Sequence, residues 1–166
     1  MTKRQFEDYH GYSIVYNSTG ARLLSGDGSL AHPETFDGLE SAKAWIDGHL
    51  ENLEEERRAP HVGTVEGYTE ALSLQEPSQK LWLMLKTHAS ADAHTMHPEE
   101  LAKVAGWKRA STANAQYSKL GRTLAEQLNL SVANEDFVTT IGEFSTDGDS
   151  LIMHPELVDA IEKLAA

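Results

Sequence analysis

The chain has 166 residues, 40% of them hydrophobic, which is enough to form one ordinary domain or two small ones. It has no cysteine, which excludes disulfides, thiolate metal sites and a cysteine nucleophile. Its net charge of −12 at pH 7 argues against a protein coated in nucleic acid, because phosphate binding depends on Lys and Arg.

The distribution of apolar residues indicates in which cellular compartment the protein is expected. No window approaches the roughly 18 consecutive apolar residues that a membrane helix needs. The first eight residues become acidic and aromatic where a signal peptide would carry an apolar run. We therefore expect a soluble, cytoplasmic protein.

The N-terminal segment has the alternation of a β-strand. Residues 9–16 alternate in polarity and place Tyr12, Ile14 and Tyr16 on one face. Turn residues follow, and residues 21–25 can form a second strand. The pattern predicts a β-hairpin.

An amphipathic helix is predicted next, from about Leu39 to Arg58, because apolar residues recur there at helical spacing. Asp37, with Glu40 three residues later, has the pattern of a capping box at its start. Residues 1–59 would then form a strand-strand-helix module, which is loosely similar to short modules of phage and bacterial proteins.

Residues 60–76 have a weak pattern. Their apolar residues fit a short helix or an extended connector, and both interpretations stay open. We treat this segment as a connector between the first module and a second domain at 77–166.

The second domain is predicted to begin with a helix that has Pro77 at its first position. A short extended segment, Thr95–Met96, leads to a second helix. His97 would cap that helix, with Pro98 at its first position, and Gly106 would end it.

A longer helix is predicted from a Ser111 cap to about Asn129. Gly121 inside it predicts a bend or a close approach of another segment. One stripe of this helix is apolar, and the opposite stripe is polar and basic. The apolar stripe consists of Ala113, Tyr117, Leu120, Leu124 and Leu128.

The remaining residues predict a hairpin and a final helix. Residues 137–144 and 151–153 are strand candidates, joined by a turn at 145–150. His154 is expected to cap the last helix, which begins at Pro155. The fold class is thus predicted as α+β, with an N-terminal β-hairpin and helix module followed by a winged helix-turn-helix-like domain.

The second half of the chain has the element order of a winged helix-turn-helix. It also resembles the small helix-turn-helix-like region that accompanies HNH-type nuclease domains in predicted bacterial restriction endonucleases. The residues that carry the resemblance are Glu100 to Ala102, Ala105 with Gly106, Ala113 to Tyr117, Lys119 to Gly121, and Met153 with Pro155 and Glu156.

The chain departs from those endonucleases because it lacks the paired histidines and the asparagine of an HNH nuclease. No cleavage chemistry carries over. The resemblance implies a module that positions nucleic acid or another protein.

Residues 101–130 carry five basic side chains and one acidic side chain, whereas every other part of the chain is acidic. One interpretation is a DNA-binding surface on the basic face of residues 103–122. The other is a solvated helix face that only keeps the domain soluble. The candidate nucleic-acid-binding residues are Lys108, Arg109, Ser111, Thr112, Gln116, Lys119 and Arg122.

Metal binding and catalysis have little support in the sequence. His88, His94 and His97, with Asp92 between them, match no familiar zinc spacing. Phosphate-binding loops, nucleophile elbows and Ser-x-x-Lys motifs are absent from the sequence. We predict no metal, no cofactor and no enzymatic activity.

Two functions from different classes remain. The first is a non-enzymatic nucleic-acid-binding or regulatory module that uses the winged helix-turn-helix. The second is an acidic protein-interaction factor, such as a phage-encoded inhibitor of a host defence complex, whose carboxylates imitate DNA. No heptad seam is visible, so the oligomeric state stays open.

Overall fold

The computed structural model describes residues 3–25 and 28–165 of an α+β protein. Two three-stranded antiparallel sheets are separated by helices. Within these described ranges, no helix has the length and apolar character to cross a membrane. The strands are β1 (Gln5–Tyr9), β2 (Tyr12–Asn17), β3 (Gly20–Leu24), β4 (Thr95–Met96), β5 (Gly142–Phe144) and β6 (Leu151–Met153). The helices are α1 (Leu39–Glu55), α2 (Val65–Gln75), α3 (Gln79–Ser90), α4 (Pro98–Ala105), α5 (Ala110–Leu128) and α6 (Pro155–Ala165).

The N-terminal sheet is a meander in the order β1-β2-β3, with one strand more than the predicted hairpin. The single strand expected over 9–16 is wrong because His10 and Gly11 both adopt positive φ and reverse the chain. The predicted face is confirmed: Tyr12 and Ile14 are buried, and Tyr16 packs against the core. That face of the sheet rests on α1.

Helix α1 begins and ends close to the predicted positions, but its predicted cap is wrong. Gly38 is the N-cap, and no side chain caps the first turn. Asp37 and Glu40 therefore form no capping box. Burial of Ile46, Leu50 and other apolar residues holds the helix instead.

Residues 65–75 form a helix, which is one of the two alternatives that the sequence left open. The Thr64 hydroxyl accepts a hydrogen bond from the amide of Gly67 and caps α2. Tyr68 is fully buried and donates to the carbonyl of Thr140 at 2.6 Å. Helix α2 therefore packs into the C-terminal half, against α5 and α6.

Two predicted helix starts are corrected by the caps that the structure contains. Helix α3 begins after Ser78, whose hydroxyl accepts from the amide of Leu81 at 3.2 Å, so Pro77 lies outside it. Helix α5 has Arg109 at its N-cap without a side-chain bond. Ser111 is consequently not a cap and lies in the exposed first turn.

The first part of the predicted hairpin is wrong. Residues 137–140 form a 3-10 turn, and the strand begins only at Gly142. Val138 and Ile141 are both buried at a spacing of three residues, which suits a 3-10 turn and not a strand. The second sheet has the order β4-β6-β5.

Buried histidines join the elements of this half. His88 lies between the hydroxyl of Tyr117 and the carbonyl of Leu151, each at 2.9 Å. Because a carbonyl only accepts, Nε2 donates to Leu151 and Nδ1 accepts from Tyr117. Burial lowers the pKa of His88, so the ring is neutral and links α3, α5 and β6.

His154 precedes α6 as expected, but its side chain is not a cap. Its Nε2 donates to the carbonyl of Thr139 at 2.7 Å, and its Nδ1 accepts from Arg58 at 3.3 Å. Arg58 also pairs with Glu156 at 2.9 Å. Burial lowers the pKa of His154, and the neutral ring joins Arg58 of the N-terminal module to the 3-10 turn at 137–140.

Candidate nucleic-acid interface

A closely bonded turn connects α4 to α5. His97 and Glu100 form a capping box at the start of α4, with both bonds at 3.1 Å, which confirms the predicted cap. Gly106 ends the helix with φ +80, a conformation that glycine adopts without strain. The amide of Trp107 then donates to the carbonyl of Ala102 at 2.8 Å. These bonds fix the direction in which α5 leaves the turn.

Helix α5 has the two sides that the sequence predicts. All five residues of the apolar stripe are buried. The exposed side of its first three turns includes Ser111, Ala115 and Ser118, which are small. Thr112 and Gln116 are half-buried at the edge of this side. Small side chains allow the backbone of a helix to approach a ligand closely.

The predicted cations lie at the two ends of this exposed side. Lys108 and Arg109 are exposed in the turn before α5, and Lys119 is exposed on the helix. Arg122 is also exposed, but its Nε lies 3.2 Å from a carboxylate oxygen of Glu126, and its guanidinium lies 5.8 Å from the ring of Phe137. Of these four predicted cations, three are free of ion pairs within the described chain, and Arg122 has internal contacts.

Several basic residues outside this region have internal partners. Lys43 pairs with Glu7, and Arg58 pairs with Glu156. Arg57 donates to the backbone carbonyls of Leu128 and Asn129. These side chains support the fold, whereas Lys108, Arg109 and Lys119 have no comparable bond among the described residues.

The hairpin of β5 and β6 is acidic, a feature that reasoning from the basic cluster overlooked. Glu143, Asp147 and Asp149 are exposed there. The Ser145 hydroxyl donates to the carboxylate of Asp147 and lowers its pKa, so this turn is anionic at neutral pH. The charge distribution along the sequence already shows that this part of the chain is acidic, but it does not assign the hairpin to the candidate site.

The sequence also did not predict a cleft between α1 and α2. It has a volume of about 570 Å³ and is lined by residues of both helices, of β2 and of the loop after β3, and by Lys163 of α6. His49 Nε2 lies 2.6 Å from a carboxylate oxygen of Glu70 at its wall. Trp45, one helical turn before His49, stacks on that histidine with ring centroids 5.0 Å apart.

Glu70 gives this cleft a pH-dependent effect on stability. Burial raises the pKa of its carboxyl from 4.5 to about 7. The folded protein therefore keeps the Glu70 proton up to about pH 7, whereas the unfolded chain releases it near pH 4.5. The contribution of Glu70 to the free energy of unfolding consequently falls as the pH rises from about 4.5 through about 7. Glu70→Gln is expected to remove this loss, which is on the order of 2–3 kcal/mol in the free energy of unfolding.

Urea unfolding at about pH 5 and about pH 8 measures the effect. Glu66→Gln, which neutralises an exposed carboxylate one turn earlier on α2, is the control and should keep the wild-type pH dependence. A Glu70→Gln variant that loses as much stability as the wild type between the two pH values would contradict the assignment.

No family model, curated protein or solved structure matches the chain. The resemblance to the region that accompanies HNH-type nucleases therefore stays a prediction.

Proposed function

We propose that the protein is a non-enzymatic nucleic-acid-binding module that contacts DNA through the exposed side of α5 and the turn before it. One observation carries the proposal. Lys108, Arg109 and Lys119 are exposed and free of ion pairs within the described chain, around a helix side of small residues. Unpaired cations in a strongly acidic protein are the groups that release counterions from phosphates.

The order of elements supports a winged helix-turn-helix arrangement. Helix α3, strand β4, helices α4 and α5, and the β5-β6 hairpin follow one another along the chain. Strand β4 pairs with β6, and β6 pairs with β5, which places the hairpin beside the helices. In this arrangement α5 is the recognition helix and the β5-β6 hairpin is the wing.

The proposed docking places the first turns of α5 in the major groove. Ser111, Ala115 and Ser118 are small enough to let the helix approach the base edges, and Gln116 at their margin can read a base. Lys108 and Arg109 lie at the N-terminus of α5, where the helix dipole also favours a phosphate. Thr112 and Lys119 would contact the flanking backbone.

Chemical-shift mapping with a labelled full-length chain and duplex DNA at low salt tests this proposal. Amide shifts concentrated in residues 107–119 are expected. Binding without shifts there, or no binding to mixed-sequence or modified-base duplexes, would defeat it.

The acidic wing gives a second test of the docked arrangement. Asp147→Asn with Asp149→Asn is expected to raise the affinity for duplex DNA several-fold at low salt, because two charges near the phosphates are removed. Asparagine keeps the acceptor oxygen that position 147 uses toward the amide of Asp149. Fluorescence anisotropy measures the change, with Asp159→Asn and Glu162→Gln as the equally neutralising control. Equal affinities of both variants would show that the wing stays away from the duplex.

An acidic protein-interaction factor is the second candidate, and helix α1 favours it. Glu40, Asp47, Glu51, Glu54 and Glu55 are exposed along this 17-residue helix. These carboxylates span about 22 Å, and those of Glu40, Asp47, Glu51 and Glu55 recur at intervals of one to two turns, which imitates a row of phosphates. Salt-sensitive co-purification with a basic nucleic-acid enzyme, lost when these five residues are neutralised, would support this candidate over the first.

A further inference from the structure

We propose that the cleft between α1 and α2 binds a small organic cation, that is, an ammonium or guanidinium group carried on an apolar body. This site is separate from the nucleic-acid interface. Three properties of its walls lead to this ligand class: an ordered aromatic group, a buried carboxylate with spare acceptor capacity, and an exposed apolar edge.

The aromatic wall is built around Trp45, whose ring is packed on several sides. His49 stacks on it at an interplanar angle of 12°, and the ring of His32 meets it edge-on with centroids 4.4 Å apart. Phe36 and Tyr12 lie 6.0 and 6.4 Å away. His49 occupies one face of Trp45, so only the remaining exposed part of this half-buried ring is available to a cation, and it is held in one orientation without a further ordering cost.

The carboxylate wall is contributed by α2. Glu70 has only 25% of its side chain exposed, and its described hydrogen bond is the one to His49. A carboxylate can accept about four hydrogen bonds, so Glu70 can still accept N–H donors from a ligand. Glu66 lines the cleft one turn earlier, and the hydroxyls of Thr69 and Ser73 lie on the same side of the helix.

The charge balance and the volume narrow the ligand class further. Lys163 is the one Lys or Arg on the described lining, against the carboxylates of Glu66 and Glu70. No group of three or more metal-ligating side chains occurs in the described residues, so an organic cation fits the lining better than a metal ion. A volume of about 570 Å³ lies in the range of small-molecule sites.

The apolar part of the cleft would hold the body of the ligand. Leu30 is 50% exposed, which makes it one of the most exposed large hydrophobic residues, and it lines the cleft beside Ala31 and Leu74. Covering this edge with an aromatic or aliphatic group would remove apolar surface from water.

The experiment uses 2-phenylethylammonium as the probe and 2-phenylethanol as its neutral counterpart. At about pH 8, where the Glu70 carboxyl is ionised, the full-length chain, labelled with ¹⁵N, is titrated with each compound, and the indole N–H signal of Trp45 is followed. The missing signal in Trp45→Phe assigns that resonance among the three tryptophans. Saturable shifts with the ammonium compound are expected, and the neutral compound should bind at least about tenfold more weakly.

Glu70→Gln is expected to weaken binding of the ammonium compound by about tenfold or more. Glu51→Gln, which removes the same charge from an exposed position outside the lining, should bind as the wild type does. The proposal is overturned if the two compounds bind the wild type equally, if Glu70→Gln binds like Glu51→Gln, or if the ammonium compound gives no saturable shift. The comparison of the two compounds in the wild type depends on no variant.

Discussion

Gly121→Ala is expected to destabilise the protein by about 2 kcal/mol or more, although alanine favours a helix over glycine by about 1 kcal/mol. A Cβ at position 121 would lie 2.0 Å from the carbonyl oxygen of Phe137 and 2.8 Å from its carbonyl carbon. Both atoms belong to the backbone, so the 3-10 turn at 137–140 would have to move away from α5. Urea unfolding monitored by circular dichroism measures the loss.

Gly48→Ala is the matched control, because Gly48 also lies inside a helix but nothing stands within 4 Å of its added Cβ. Only the helix propensity changes there, and a gain of about 0.5–1 kcal/mol is expected. If Gly121→Ala lowers the free energy of unfolding and Gly48→Ala raises it, the loss at position 121 comes from the contact with Phe137. If both substitutions raise the free energy of unfolding equally, the turn at 137–140 can move away from the added Cβ without loss of stability.

The close approach at Gly121 also concerns function. The turn at 137–140 leads directly into β5, and Phe137 contacts the guanidinium of Arg122. The contact between α5 and this turn therefore sets the position of the β5-β6 hairpin relative to the basic face. In the proposed docking, a displaced turn would move the acidic wing with respect to the duplex.

The helices of the second half could be predicted from the sequence because their apolar periodicity is long and regular. The stripe from Ala113 to Leu128 is buried as predicted, and Gly121 has the predicted close neighbour. Helix starts were predicted less well, since several residues near each start can act as a cap. Ser78, which follows Pro77, caps α3, whereas neither Asp37 nor Ser111 caps a helix.

Elements that depend on distant contacts could not be predicted. The helix at 65–75 has a weak pattern of its own and is buried by α5 and α6. Val138 and Ile141 are only three residues apart. The apolar pattern of so short a segment does not distinguish a 3-10 turn from a strand.

Of the two candidate sites, the basic face could be predicted from the sequence and the cleft could not. The cations of the basic face are close in sequence, so their clustering was visible before the fold was known. The bond between His49 and Glu70 joins residues 21 positions apart, on helices whose mutual position no local pattern indicates. The cleft therefore became visible only in the structure.

The triple variant Lys108→Gln, Arg109→Gln, Lys119→Gln is expected to weaken binding to duplex DNA by about 10- to 100-fold at low salt. Each lost phosphate contact should also reduce the slope of log K against log salt concentration by about 0.9. Glutamine has a helix propensity close to that of lysine and arginine, so α5 should remain folded. Arg122 is left unchanged because its contacts with Glu126 and Phe137 would mix stability with binding.

The control is the triple variant Lys80→Gln, Lys86→Gln, Lys163→Gln, which changes the net charge equally at exposed positions on α3 and α6. If binding depended only on net charge, the two triple variants would lose the same affinity. If the basic face is the interface, the control keeps nearly the wild-type salt slope, because no phosphate contact is lost. Fluorescence anisotropy over a series of salt concentrations separates the two outcomes. The slope of log K against log salt concentration reports the number of phosphate contacts, so it falls only in the variant that has lost such contacts. Equal slopes for both variants would exclude α5 as the DNA-contacting helix.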